Sequence, residues 1–330
     1  MLSKIISGIA LVFFFLLPGV MQAQKVTSVG AICITVKELA PSLKFYTNVL
    51  QFKHIGTEDF YGENHEQLFS KFGIHYKVAH LQLGDEYVDL IDYLTSGGRS
   101  ISETQQSNDL EFQHIAIVVK DMDAAFKTLQ KHNVEFVSTM PQTIPLSNSA
   151  AAGIKAFYFH DIDNHNLELI YFPKGKGKTK WQTPNKNLFL GIDHTAIGVS
   201  NTDNSLQYWV NNLSLDKKGE SHNVGKEQAH LNFVKNAELQ ITGLAAAEGP
   251  GVEFLQYLKP GAGKNYPTDT HCDDLWNWLT KVNCTGIDAL FIQLTSANVK
   301  IVSEAVVVIN GKKNFIARDP DGHAVWFIEN

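Results

Sequence analysis

Cysteine is scarce in this sequence of 330 residues: there are three, Cys33, Cys272 and Cys284. An odd count with no Cys-x-x-Cys spacing excludes a disulfide framework. At most one pair could form, Cys272 with Cys284 being nearest in sequence, and free, buried thiols are expected. Charged residues are also few, 19% of the chain, with a net charge of −6 at pH 7. No broad basic surface follows from that balance, so nucleic acid is not expected as a partner. Serine-hydrolase, P-loop and dinucleotide-binding motifs are absent. What remains is a globular composition, 44% hydrophobic, in a chain long enough for two domains.

The N-terminus reads as a removable leader. Lys4 precedes an apolar run from Ile5 to Leu17, broken by Pro18 and Gly19 and ending near small Ala23. A basic start, a short apolar core and a small residue at the exit mark a secretory signal peptide. The run is short for a span of about 20 residues, and no basic stop-transfer cluster follows it. No lipobox cysteine sits near the cut. The expected organisation is a signal peptide over 1–23 and a mature chain from Gln24. That chain would be secreted or periplasmic, with no stable membrane span after cleavage.

Internal repetition then sets the architecture. Ala31-Ile-Cys-Ile-Thr-Val36 precedes the helical pattern Ser42 to Leu50, and His194-Thr-Ala-Ile-Gly-Val199 precedes Ser205 to Leu213. His194 follows Ala31 by 163 residues and Ser205 follows Ser42 by the same 163. His114-Ile-Ala-Ile-Val-Val119 leads into Met122 to Leu129. A fainter fourth copy runs from Asn277-Trp-Leu-Thr-Lys-Val282 into Ile287 to Leu294. In that copy the counterpart of His114 falls at Asn277 or Leu279. Each module closes with a matched strand. Val88 to Tyr93 reads against Val252 to Tyr257, and Asp161-Ile-Asp-Asn-His165 reads against Asp319-Pro-Asp-Gly-His323. The Asp-x-Asp pieces are tight-turn chemistry before a final strand. The pattern is A-B-A-B: one domain over 24–172, an exposed Gly/Pro/Lys linker over 173–187, and a second domain over 188–330.

These residues carry a resemblance. The two His-initiated strands, Phe45-Tyr46-x-x-Val49-Leu50-x-Phe52 and Asp319-Pro-Asp-Gly resemble the vicinal-oxygen-chelate superfamily of glyoxalases, bleomycin-resistance proteins and extradiol dioxygenases. The resemblance spans nearly the whole mature chain. It implies an α+β fold of four βαβββ modules forming two cup-shaped incomplete barrels. It also implies metal ligands from the first strand (usually His) and the last strand (usually Glu) of each module. In those positions stand Ala31 and Asp89, His114 and Glu168, His194 and Glu253, and Asn277 or Leu279 with Trp326.

Only modules two and three hold a complete His/Glu pair. Side chains two apart share a strand face, so His114 lies beside Ala116 and His194 beside Ala196, which leaves room for an ion. Glu168 and Glu253 sit among apolar neighbours, where a carboxylate is costly unless paired or metal-bound. A lone strand histidine is usually a hydrogen-bonded structural residue; two His/Glu pairs at matching positions point to ligation. Two imidazoles and two carboxylates suit Zn, Ni, Co, Fe or Mn.

If modules pair as in extradiol dioxygenases, one cup holds Asp89, His114 and Glu168. If they pair as in fused glyoxalases, one with four and two with three, His114, Glu168, His194 and Glu253 share one cup. The second arrangement is favoured, because it puts every lost ligand in one cup. It implies an exported, metal-dependent glyoxalase-like isomerase or lyase whose partner is a small substrate with vicinal oxygens, with Glu168 or Glu253 as the base. The alternatives are an extradiol-type dioxygenase and a metal-free binding protein of the bleomycin-resistance type. A monomer is expected. His160, His165 and His323 read as exposed turn residues, 138–153 as a flap over a cup, and 56–73 as a loop.

Overall fold

The computed structural model describes residues 25–95 and 97–330; the expected leader, 1–23, lies outside them. Module one supplies β1 (Lys25–Val36), α1 (Leu39–Asn48), β2 (Lys53–Tyr61), α2 (Glu63–Phe69), β3 (His75–Leu83) and β4 (Glu86–Tyr93). Module two supplies β5 (Gln113–Val119), α3 (Met122–Lys131), β6 (Gln142–Thr143), β7 (Lys155–His160) and β8 (Asn166–Tyr171). Module three supplies β9 (Phe189–Gly198), α4 (Thr202–Leu206), β10 (Asp216–Val224), α5 (Lys226–Asn232), β11 (Glu238–Ala245) and β12 (Gly251–Lys259). Module four supplies β13 (Leu279–Thr285), α6 (Ile287–Ser296), β14 (Val307–Ile309), β15 (Lys312–Arg318) and β16 (Ala324–Glu329).

The strands form two curled eight-stranded sheets, each a half-barrel cup. One runs β14-β15-β16-β13-β1-β4-β3-β2 and the other β10-β11-β12-β9-β5-β8-β7-β6. The first therefore joins modules one and four, and the second joins two and three. At each centre the two module-opening strands meet antiparallel, β1 on β13 and β5 on β9. In module four, Leu279 pairs with Cys33 and Lys281 with Ala31, while in the other sheet Ala116 pairs with His194. The position of His114 is thus taken by Leu279 rather than Asn277.

Period-two burial explains the layering. Along β5 every residue is buried; Ile115, Ile117 and Val119 face the main apolar core, and His114, Ala116 and Val118 face the cup. The same core takes Ile32 and Ile34 of β1 together with one stripe each of α3 and α6: Met122, Ala125 and Leu129, and Ile287, Leu290 and Leu294. Those spacings are one face of a 3.6-residue repeat. Asp121 caps α3 by accepting from the Ala124 N–H at 3.0 Å, and Asn201 caps α4 through Asn204 at 2.9 Å, each contributing about 1 kcal/mol.

Several local expectations are corrected. Residues 56–73 are not a loop: they hold most of β2 and all of α2. β2 is an edge strand exposed on both faces, so it carries no alternation to read, and α2 buries only Leu68 and Phe69 at its C-terminal end. His165 and His323 are fully buried. Each Asp-x-Asp turn is tucked beneath another module, where His165 Nε2 lies 2.9 Å from the Leu275 carbonyl and His323 Nε2 2.9 Å from that of Gly198. The aromatic pairs of the helices reach the same turns: Tyr46 donates to Asp161 at 3.0 Å and Trp209 to Asp319 at 3.2 Å. The 138–153 segment is anchored to module three, with Ser138 donating to the Leu231 carbonyl at 2.6 Å and Asn148 to that of His222 at 3.2 Å. The 173–187 connection is mostly exposed, as expected, but Trp181 within it is buried. All three cysteines are free and buried. Among the described residues no helix is long and apolar enough to cross a membrane.

Candidate metal centre

The cup of modules two and three gathers the residues singled out by the repeat. On β5 and β9, His114 faces Ala196 and His194 faces Ala116, so each imidazole has a methyl group opposite it. The parallel neighbours supply the carboxylates: Glu168 of β8 sits beside Ala116, and Glu253 of β12 beside Ala196. Glu168 Oε2 lies 3.1 Å from His114 Nε2 and 3.6 Å from His194 Nε2, while Glu253 Oε1 lies 3.5 Å from His194 Nε2. Donor atoms of His114, Glu168 and His194 all fall within 4.8 Å of one another. Glu253 meets this group through His194.

These three residues are buried, whereas the Glu253 side chain is 26% exposed. Beyond it the sheet opens. Gly243 pairs with Glu253, and a side chain added at Gly243 would meet nothing within 4 Å. The inner wall is aromatic: the Tyr158 ring is 4.9 Å from that of His114, and Phe112 is 5.5 Å from it.

A residue outside the expected set orients the site. Between Ala116–His194 and Ile117–Ile192 the β5–β9 register slips by one. Asp193 is the extra residue of this bulge, which re-aims a side chain that strict alternation would send to the other face. Its Oδ2 lies 3.1 Å from His194 Nδ1, its Oδ1 accepts from Trp181 Nε1 at 2.7 Å, and Lys178 Nζ lies 3.7 Å away. A carboxylate on Nδ1 fixes the tautomer and leaves Nε2 aimed into the cup, the arrangement typical of a ligating histidine. The sequence held one signal for it, an acid adjacent to the histidine, but alternation argued against using it.

The electrostatics suit a cation. Burial pulls the His194 imidazole down, but Glu253, Asp193 and Glu168 outweigh it and hold its pKa at about 9. Burial lowers His114, with Glu168 opposing. Burial raises Glu253, with His194 opposing. Asp193 is pushed up by burial yet held at about 2, chiefly by its bond to His194. Three carboxylates thus converge on the His194 imidazole. Among the described residues His194 Nε2 and His114 Nδ1 have no hydrogen-bond partner, an unusual state for buried polar atoms. A divalent ion would satisfy the free Nε2 and the excess negative charge together, so the donor set fits one.

The fallback set does not assemble. Asp89 lies in the other sheet, where its Oδ2 is 2.6 Å from Lys281 Nζ and its Oδ1 2.6 Å from His80 Nδ1. Ala31, Leu279 and Trp326 occupy the remaining ligand positions of that cup, and Lys281 Nζ sits 4.4 Å above the Trp326 ring.

Comparison with known proteins agrees with this architecture. The family model of the Glyoxalase/Bleomycin resistance protein/Dioxygenase superfamily matches residues 28–169 and 191–327. Glyoxalase I from maize (Zea mays) superposes with a TM-score of 0.61 at 13% identity, covering 93% of this chain and 92% of that one. A putative dioxygenase from Bacillus subtilis subsp. subtilis str. 168 superposes with a TM-score of 0.57 at 12% identity, covering 93% and 86%. At such identities the likeness shows the fold alone. No curated protein matches the chain. With two family matches spanning most of its length, the chain belongs to the Glyoxalase/Bleomycin resistance protein/Dioxygenase superfamily.

Proposed function

We propose that the protein is a divalent-metal-dependent, glyoxalase-like isomerase or lyase with one active cup, acting on a small substrate with adjacent oxygens. The observation that carries this is the convergence of His114, Glu168 and His194 with an unpartnered Nε2, with Glu253 at the open side. When bound, a Zn, Ni, Co, Fe or Mn ion would supply Lewis-acid polarisation of a substrate oxygen. His114, His194 and Glu168 would hold it. Glu253 is the proton acceptor: it is the most exposed of the four, it borders the space over Gly243, and its pKa is raised towards the working range of a general base. Asp193 holds the His194 ring. Tyr158 and Phe112 wall the cup against water.

Export is proposed from the leader alone. It favours a substrate other than a glutathione adduct, whose thiol pool is cytosolic. We also propose a monomer, since both cups are completed within one chain.

The test is metal content after reconstitution. About one ion per chain is expected, because a single donor set assembles among the described residues. Absence of bound metal would overturn the reading in favour of a binding protein. Glu253→Gln should keep the metal and lose turnover of α-oxygenated carbonyl substrates.

A second reading rests on the trio itself. Two histidines and one carboxylate are the facial set of non-haem Fe(II) oxygenases. Selective retention of iron together with substrate-dependent oxygen uptake would favour an extradiol-type dioxygenase. Activity without oxygen would favour the isomerase or lyase.

A further inference from the structure

The cup of modules one and four has no complete ligand set, yet it keeps a cavity of about 200 Å³. Leu279, at the position of His114, borders it, together with Arg318, Lys300, Lys71 and His271. Two of its cations lack a carboxylate partner among the described residues. Arg318, one of only two arginines in the chain (the other is Arg99), is 5% exposed. Its guanidinium donates to neutral oxygens only, the Gly322 carbonyl at 2.8 Å and Asn277 Oδ1 at 3.0 Å. A guanidinium has five donors, and burying its charge without a counter-ion is costly. At the mouth, Lys300 Nζ donates to the Thr268 carbonyl at 3.0 Å. Lys71, by contrast, is neutralised by Asp273 at 2.7 Å.

The other half of the molecule shows that the fold does not require this pair. Arg318 N–H donates to the Lys300 carbonyl at 2.8 Å, and at the matching place His160 N–H donates to the Glu135 carbonyl at 2.9 Å. The same two positions therefore carry Lys and Arg in one cup and Glu and His in the other. The Asn277 that orients Arg318 is likewise matched by Phe112: each donates its N–H three residues back, to Asp274 and Asp109.

We propose that this cavity binds a small organic oxyanion, a carboxylate or phosphate group, with Arg318 at its floor and Lys300 at its mouth. A planar guanidinium is suited to two-point recognition of either group. The inference is independent of the metal reading, which concerns the opposite cup.

Isothermal titration calorimetry of the full chain with inorganic phosphate and with malonate, at constant ionic strength against chloride, tests it. One or both probes should bind saturably: phosphate alone indicates a phosphate ester, malonate alone a carboxylate, and either result supports the site. Lys300→Glu, which installs the residue of the matching position, should weaken binding by about tenfold or more, the loss expected for one charge-assisted contact. Arg318→Gln should remove binding while metal content stays unchanged. Should Arg318→Gln fail to fold, the exposed Lys300→Glu still decides. No saturable heat from either probe, or unchanged affinity in Lys300→Glu, overturns the proposal.

Discussion

In one cup Gly243 and Ala116 leave space beside Glu253 and Glu168; in the other, His80 and Lys281 fill the same two positions beside Asp89 and Trp326. Both sheets place a carboxylate at this matching position, Asp89 buried in one and Glu253 26% exposed in the other. The modules one/four cup neutralises its carboxylate from within, with the Lys281 ammonium and the His80 ring each 2.6 Å from Asp89. The modules two/three cup sets the His194 ring among three carboxylates, with Lys178 reaching only Asp193 at 3.7 Å, and it keeps room for an ion. One duplicated frame thus gives a closed structural ion cluster and an open donor set. The difference lies in where the compensating cation comes from.

The comparison can be broken most forcefully at Lys281, and the expected effects on stability fall from there. Lys281→Met leaves Asp89 buried without its cation and should cost about 3–5 kcal/mol, read from urea unfolding. Asp89→Leu with Lys281→Met should recover much of that loss. A cost below about 1 kcal/mol for the single change would show that the ammonium is not what stabilises the carboxylate.

Acid probes the same cluster more gently. Burial alone would raise the Asp89 carboxyl, but Lys281 and His80 outweigh it and hold it at about 2. The folded value lies below the ordinary one near 4, so the linked stability is complete above about pH 4 and drains away towards pH 2, about 2 kcal/mol in all. His80 contributes in the opposite sense: its hydrogen bond to Asp89 raises its pKa, so its share is lost as pH rises through the folded value. Unfolding followed from pH 6 to 2 should show an Asp89→Asn variant less acid-sensitive than the native chain.

Much of this was legible in the sequence. The 163-residue offset placed the modules, and the clustering of intact His/Glu pairs in modules two and three pointed to the cup pairing that the sheets show. Most of the illegible parts depend on tertiary contacts that a local pattern does not show. His165 and His323 resemble exposed turn residues until Leu275 and Gly198 close over them. Trp181 resembles linker until it meets Asp193. Lys281 resembles a misplaced charge in a faint strand until Asp89 is found beside it, 192 residues away in sequence. β2 escapes notice because an edge strand wetted on both faces has no period to detect.

The smallest effect on stability, and the sharpest on the site, is expected at Asp193. Both cups bulge at the same place: Gly30 is the extra residue between Val29–Val282 and Ala31–Lys281, as Asp193 is between Ile117–Ile192 and Ala116–His194. The bulge therefore belongs to the module junction, and only the side chain on it distinguishes the cups. In Asp193→Asn the amide oxygen can still accept from Trp181 but the ionic bond to His194 is lost, so unfolding of the metal-free protein should cost about 1–2 kcal/mol less. The charge that orients His194 through Nδ1 is lost with it, and such partners typically set metal affinity by about 10–100-fold. Competition with a chelator should therefore show metal binding weakened by about that factor, with the stoichiometry unchanged. The mirror change, Gly30→Asp, should create no metal site, because Ala31 offers no imidazole for the new carboxylate to orient. If Asp193→Asn bound metal as tightly as the native chain, the bulge would be a feature of strand pairing alone, and the cups would differ only in their His/Glu positions.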